Sequence, residues 1–325
     1  MAHQQKMPFG LMLLCIMVGA MSNGTAAQDY PAKPVRYMVP SSPGSAVDTI
    51  GRIVASGLSE VLGQQVVVEN RAGAGGNIGA AMIAKAPPDG YSLLQINNNH
   101  TTNVNLYRNL SYDLMRDFMP VTKLAVSPYA IVVHPSMPVK SIADLIKLAK
   151  ARPGVITYSS AGIGSGTFMA TELFKSQARL NMLHVPYVGG GPALTAVISG
   201  EALLYGAPVA TALPQIQAGR LRALGVTTDR RIALLPGVPT VAETLPGYEF
   251  SAWAAIVVPL KTQGNIIAAV RNAAVKVLNK PELVKRMSDL GYIVALDTPA
   301  ELANFLKVDI EKMAALIREN NLTAN

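Results

Sequence analysis

The chain is poor in cysteine and in charge: among 325 residues there is one cysteine, Cys15, and only 15% are Asp, Glu, Lys or Arg. Cys15 lies in an uncharged run from Pro8 to Met21, after Lys6 and before a polar stretch ending in Thr25, Ala26 and Ala27. This is the order of a secretory signal. At 14 residues the run is short of the ~20 that an apolar helix needs to cross a bilayer. Residues 1–27 are therefore expected to be removed after Ala27, placing the product in a bacterial periplasm. The MLL preceding Cys15 lacks the small residues of a lipoprotein cleavage site. A mature chain without thiols excludes disulfides, cysteine nucleophiles and thiolate metal sites.

Aromatic residues make up only 6% of the chain, and no basic block is interleaved with them, so no nucleic-acid partner is expected. The net charge of +8, or +7 without Lys6, is scattered. Its densest run, RLRALGVTTDRR from Arg220 to Arg231, reads as a solvated strand end and loop. A basic surface of this kind speeds encounter with small anions. No group of histidines and carboxylates has metal-ligand spacing, so neither metal nor cofactor is expected.

Half the residues are apolar, enough for one large domain or two ordinary ones. From Pro34, short β-branched runs alternate with helix-period segments, the pattern of α/β units with a mostly parallel sheet flanked by helices. PVRYMVP, QQVVVEN and YSLLQIN read as strands. The segment SAVDTIGRIVASGLSEVLG reads as a helix with Val47, Ile50, Val54, Leu58 and Val61 on one face. A polar connection is expected from Asn98 to Phe118, and a second series begins with the strand AIVVHP. There Ser141 and Asp144 are spaced as a capping box. The final helix carries Leu302, Leu306, Ile310, Met313 and Ile317 as a core-facing stripe.

Glycine- and serine-rich loops recur where a strand ends and a helix begins: SSPGSAVD (41–48), AGAGGN (72–77), NNNHTT (97–102), SAGIGSGTF (160–168) and YVGGGP (187–192). Such loops present free N–H groups and the positive end of a helix dipole. They are not nucleotide loops, because Ile78 stands where GxGxxG requires glycine and AGIGSGT lacks a Walker lysine. Nor is there a nucleophile elbow, since Ile163 and Thr167 flank Ser165. His134 and His184 read as packed or solvated, and His100 as the histidine best placed for a ligand. Five anion-ready loops suit a receptor for a small carboxylate.

YPAKPVRYMVPSSPGSAVDTIGR, VVVENRAGAGGNIGA, APPDGYSLL, HVPYVGGGPALTAVISG, LPQIQAGRLRALGVTT and PGYEFSAW resemble the signature segments of the tripartite tricarboxylate transporter receptor family, the Bug proteins, over essentially the whole mature chain. The resemblance implies a two-lobe periplasmic binding protein, type II-like, with its ligand cleft between the lobes. It is expected to act as a monomer and not as an enzyme, delivering a carboxylate to membrane transport subunits, although some relatives stand apart from any transporter. Lobe 1 is expected over 28–126 plus 250–325 and lobe 2 over 127–249, hinged near Thr122–Ser127 and Phe250–Ala254.

Carried onto this sequence, the family's ligand loops give Ser41, Ser42, Pro43, Gly44, Ser45 and Asp48 in one lobe. In the other they give Ser160, Ala161, Gly164, Ser165, Gly166, Thr167 and Phe168. Asn99, Thr101, Gly189, Gly190 and Ala207 complete the expected set. The chain departs from the family in reading PSSPGS for PFPPGG, in having no histidine after GSGT, and in placing Ala207 where an acid is usual. These changes favour a mono- or dicarboxylate over an amino acid, with an aromatic acid open. A sensor for a membrane partner and, less favoured, an exported hydrolase are the alternatives.

Overall fold

The computed structural model describes residues 30–187 and 189–319, with Met1 and Leu322. The expected signal segment and its cleavage point lie outside the described residues. Three strand–helix pairs come first: β1 (Val35–Val39) with α1 (Ala46–Leu62), β2 (Val66–Asn70) with α2 (Asn77–Ala84), and β3 (Ser92–Asn97) with α3 (Asn98–Leu106). The long strand β4 (Phe118–Val133) leads to α4 (Ile142–Ala151), β5 (Thr157–Ser160), α5 (Gly166–Ala178) and β6 (Leu183–Pro186). Then come α6 (Gly190–Ile198), β7 (Leu204–Pro208), α7 (Val209–Gln217) and β8 (Arg222–Val226). The chain returns through β9 (Ser251–Pro259), α8 (Gly264–Leu278), α9 (Pro281–Asp289), β10 (Ile293–Val294) and α10 (Pro299–Glu319).

Hydrogen bonding orders the strands β2-β1-β3-β9-β4-β7-β5-β6, with β8 and β10 also on β4. The outer strands pair in parallel, as the alternating pattern predicts. β4 and β9, which carry the chain between the halves, run antiparallel to their neighbours. β4 is shared: Phe118–Pro128 pair with β9, whereas Tyr129–Val133 pair with β7. The two halves of the molecule therefore meet within one strand.

Side-chain alternation along the strands fills four apolar clusters, two to a lobe. Tyr37 and Val39 pack under α1 and α8, with Met38 on the opposite face among Ile83, Leu94 and Leu306. In the other lobe Ile131 and Val133 pack toward α5, and Ala130 and Val132 toward α6 and α7. α1 forms as its pattern predicts, with Ile50, Val54 and Leu58 buried. Ser45 caps its start by accepting from the Asp48 N–H, and Gly63 ends it with a left-handed φ of 68°.

Two segments differ from the sequence reading. The polar stretch after Asn97 is the helix α3, because Asn97 caps it and His100 completes the capping box from inside the core. β4 begins at Phe118 rather than near Ala130. Pro120 and Pro128 obscure it in the sequence, yet Pro120 lies at a register shift and Pro128 at the change of partner, where no ladder N–H is needed. At α4, Ser141 caps by accepting the Asp144 N–H, and the Asp144 carboxylate accepts the N–H of Lys140 at 3.0 Å.

Candidate functional site

A cavity of about 180 Å³ opens where the lobes meet on β4 and β9, many times the ~10–15 Å³ that one water requires. Its floor is Ala125, Ser127 and Tyr129 of β4 with Ala252, Trp253 and Ala254 of β9. Its walls are the starts of helices: Val47 and Ile50 of α1, Asn97–Asn99 at α3, Gly166 at α5 and Pro208 at α7. Tyr292, before β10, completes the lining. None of these residues is Asp, Glu, Lys, Arg or His. Four helix N-termini thus open on a neutral space, two from each lobe, and an anion there would meet N–H groups and amide or hydroxyl dipoles.

The first expected loop is held from below. Asp48, 2% exposed, accepts from the Gly44 N–H at 2.8 Å, Arg52 Nε at 2.9 Å and Asn70 Nδ2 at 2.8 Å. Burial alone would raise its pKa, but these hydrogen bonds from Arg52, Asn70 and Gly44 hold it below the usual carboxylate value. Ser41 and Ser45 bond to each other at 2.9 Å, while Ser42, Pro43 and Gly44 stay exposed. The loop adjoins the cavity through Val47 rather than through its serines.

The second loop is equally self-contained. Ser165 caps α5, accepting from the Phe168 N–H and donating to Gly162 O at 2.6 Å. Thr167 Oγ1 accepts from the Ala161 N–H at 2.9 Å, and Ser160 Oγ accepts from the Gly162 N–H at 3.1 Å. Gly164, at φ 79°, lies between them. Only Gly166 of this loop lines the cavity, and its Cα faces Tyr129: a Cβ added there would stand 2.3 Å from Tyr129 Oη.

Of the remaining expected residues, Asn99 lines the cavity. Thr101 is buried behind it, with its hydroxyl on Asn98 O and Asp309. Phe168 is in the second-lobe core, with its ring 4.8 Å from that of His184. Ala207 is fully buried among Ala130, Val132 and Val209, so its methyl faces the core under α6 and α7. Gly189 and Gly190 start α6, beside Tyr205.

His100 is 0% exposed, takes the Asn97 N–H on Nδ1, and is pushed down to about 4 by burial. It is a packed group of α3, not a surface for ligand. His184 stacks on Tyr158 and bonds Ser160 Oγ at 2.7 Å, and His134 bonds Ser136 Oγ at 2.7 Å. Among the described residues no group of three or more His, Cys, Asp or Glu could hold a metal ion. Tyr129, Trp253 and Tyr292 were not among the expected site residues. They carry no local loop signal and come to the cavity only because the crossing strands do.

The sequence matches the family described as "Tripartite tricarboxylate transporter family receptor" over residues 50–322. It is 37% identical over 298 residues to a UPF0065 protein in the tcbD-tcbE intergenic region of Pseudomonas sp. strain P51, covering 91% of this chain and 89% of that one. It is 33% identical over 299 residues to Protein BugT of Bordetella pertussis, covering 90% and 91%. Among solved structures it is similar to R. palustris Rpa4515 with adipate, at 32% identity and TM-score 0.78, covering 91% and 99%.

Proposed function

Because the chain belongs to the tripartite tricarboxylate transporter receptor family, we propose that it is a periplasmic receptor that binds a small carboxylate between its lobes and presents it to membrane transport subunits. The observation that carries this reading is the neutral cavity on which four helix N-termini converge. A carboxylate can be met there by N–H groups and dipoles without a charged side chain. The family is one of receptors, and none of the residues that line the cavity is a histidine, cysteine, acid, lysine or arginine.

In this reading the lobes are 28–126 with 250–325, and 127–249. Closure is absorbed near Thr122–Ser127 in β4, just before the change of partner at Pro128–Tyr129, and near Phe250–Ala254 at the start of β9. The protein works as a monomer after cleavage behind Ala27. The pocket favours plain mono- or dicarboxylates over amino acids, since no acidic side chain lines the cavity to pair an ammonium.

A thermal-shift panel of carboxylates, starting from adipate, tests the function. A ligand at ~100 times its dissociation constant adds about 2.7 kcal/mol. For a chain of this size that is roughly 5 °C in the melting midpoint. A panel of mono-, di- and tricarboxylates that shifts nothing refutes the reading, and one in which amino acids alone bind refutes the pocket argument.

A further inference from the structure

α10 belongs to both lobes. Leu302 and Leu306 pack in a first-lobe cluster, and Met313, Leu316 and Ile317 in a second-lobe one. Between them Asp309 turns inward, and its Oδ2 lies 2.6 Å from Thr101 Oγ1. The same hydroxyl lies 2.9 Å from Asn98 O. Asn98 in turn docks on β9 like a strand partner: its Nδ2 donates to Ser251 O and its Oδ1 accepts the Trp253 N–H, both at 2.8 Å. Asn98 and Trp253 line the cavity. The buried indole Nε1–H of Trp253 faces Asp309 without completing a hydrogen bond.

The protons can be counted. A threonine hydroxyl has one proton to give. With Asp309 ionised, Thr101 stands between two acceptors and can serve one. With Asp309 protonated, the carboxyl donates to Thr101, Thr101 donates to Asn98 O, and both short contacts are hydrogen bonds. We propose that Asp309 is a positioning residue of the cleft: as a neutral acid it holds the start of α3 through Thr101, and its ionisation weakens anion binding in the cavity.

The surroundings agree. Burial pushes the Asp309 carboxyl above its ordinary value, opposed by the Thr101 hydrogen bond, Lys312 and the indole, and reinforced by Glu249. Lys312, on the same helix, gives its ammonium to Glu249 O. Lys123 of β4 is paired with Asp297 at 3.1 Å, and Asp229 beyond β8 with Arg230 at 3.6 Å. α3 brings His100, whose imidazole burial keeps neutral down to about 4, and β9 brings only neutral groups. For an acid with a raised pKa the neutral form prevails at low pH, so affinity is full there and falls as pH rises through the native Asp309 value. The statement about affinity rests on the carboxylate reading above; the proton assignment does not.

Trp253 is the chain's only tryptophan, so emission reports on this corner directly. Fluorescence of the ligand-free mature protein is titrated from about pH 4 to about pH 8 for wild type, Asp309→Asn and Thr101→Val. We expect one transition above the ordinary aspartate value in wild type, absent in Asp309→Asn, whose amide can still donate to Thr101. Thr101→Val should keep the transition and shift its midpoint. No transition in wild type, or the same one in Asp309→Asn, overturns the proposal. Calorimetry with adipate at about pH 5 and about pH 8 should show at least roughly fivefold weaker binding at the higher pH in wild type and none of that loss in Asp309→Asn. Equal affinities in wild type overturn the coupling. If adipate and the other carboxylates fail to bind at either pH, the carboxylate reading falls and the coupling with it, while the fluorescence titration still decides the proton assignment.

Discussion

Replacing Gly166 by alanine tests whether the α5 start must touch the crossing strand for the cleft to work. The added Cβ would lie 2.3 Å from Tyr129 Oη and 3.1 Å from Cζ, against 3.4 Å for an ordinary contact, so about 1.1 Å of movement is required. Tyr129 cannot supply it easily, because it is 6% exposed and its ring meets Phe250 edge to face at 5.4 Å. The strain falls on the α5 N-terminus, one of four that face the cavity. Overpacking of this kind costs about 1–3 kcal/mol. At roughly 2 °C per kcal/mol for a chain this long, the melting midpoint should drop by about 2–6 °C. Carboxylate affinity should fall by roughly tenfold or more, since the N–H groups no longer converge. Gly264→Ala is the control, at the same first-helical position in α8 with nothing within 4 Å. Tyr129→Phe removes the 2.3 Å contact and leaves the 3.1 Å one, so the double variant should recover part of both losses. Differential scanning fluorimetry and calorimetry read the cycle. A Gly166→Ala protein as stable and as tight-binding as wild type, or a double variant no better than the single, would refute the reasoning.

Three further outcomes follow from the buried groups and the N-terminus. The native His100 pKa is depressed, so its contribution is intact above the unfolded value of 6.5 and lost as pH falls toward about 4. That makes about 3 kcal/mol of acid lability, seen as a slope in denaturant midpoints that His100→Gln should flatten; an unchanged slope would contradict it. Asp48→Asn should cost about 2–3 kcal/mol by weakening a three-donor clamp under the first loop. Because the Asp48 pKa is lowered, that stability is present above the ordinary value near ~3.9 and lost only as pH falls below it; denaturation in urea at neutral pH gives the cost, and a variant as stable as wild type would sink the clamp. The exported protein should have the intact mass of a chain beginning at Gln28; a mass that includes Met1 removes the compartment argument.

Much of the fold is legible because periodicity is local. α1, β1–β3 and the outer strands of the second lobe follow from apolar spacing, caps and glycines that act within a few residues. β4 is not legible, because its prolines argue against a strand unless one knows where it bulges and changes partner. α3 is hidden for a related reason: the run NNNHTTN has poor helix propensity, and what holds it is the buried His100 ring and the capping Asn97. At the site, the loops that open α1, α3 and α5 could be read as anion-ready whereas the start of α7 at Pro208 could not, and two expected residues, Asn99 and Gly166, stand on the cavity wall. The aromatic part could not be read. Tyr129 and Trp253 are 124 positions apart in sequence and become neighbours of one cavity only when β4 and β9 pair. Asp309 is quieter still, a single acid between Val308 and Ile310 in a helix that reads as an ordinary core stripe.

That last helix also governs the order of folding. The final described helix to be synthesised supplies Leu302 and Leu306 to one apolar cluster and Met313, Leu316 and Ile317 to another. Each core therefore has an open seam until nearly the whole chain exists. β9, too, must arrive from residue 251 to stand between β3 and β4. Contacts this distant in sequence close late and slowly. A nascent chain with residues 299–319 still to come cannot complete either half and stays a substrate for chaperones rather than a finished globule.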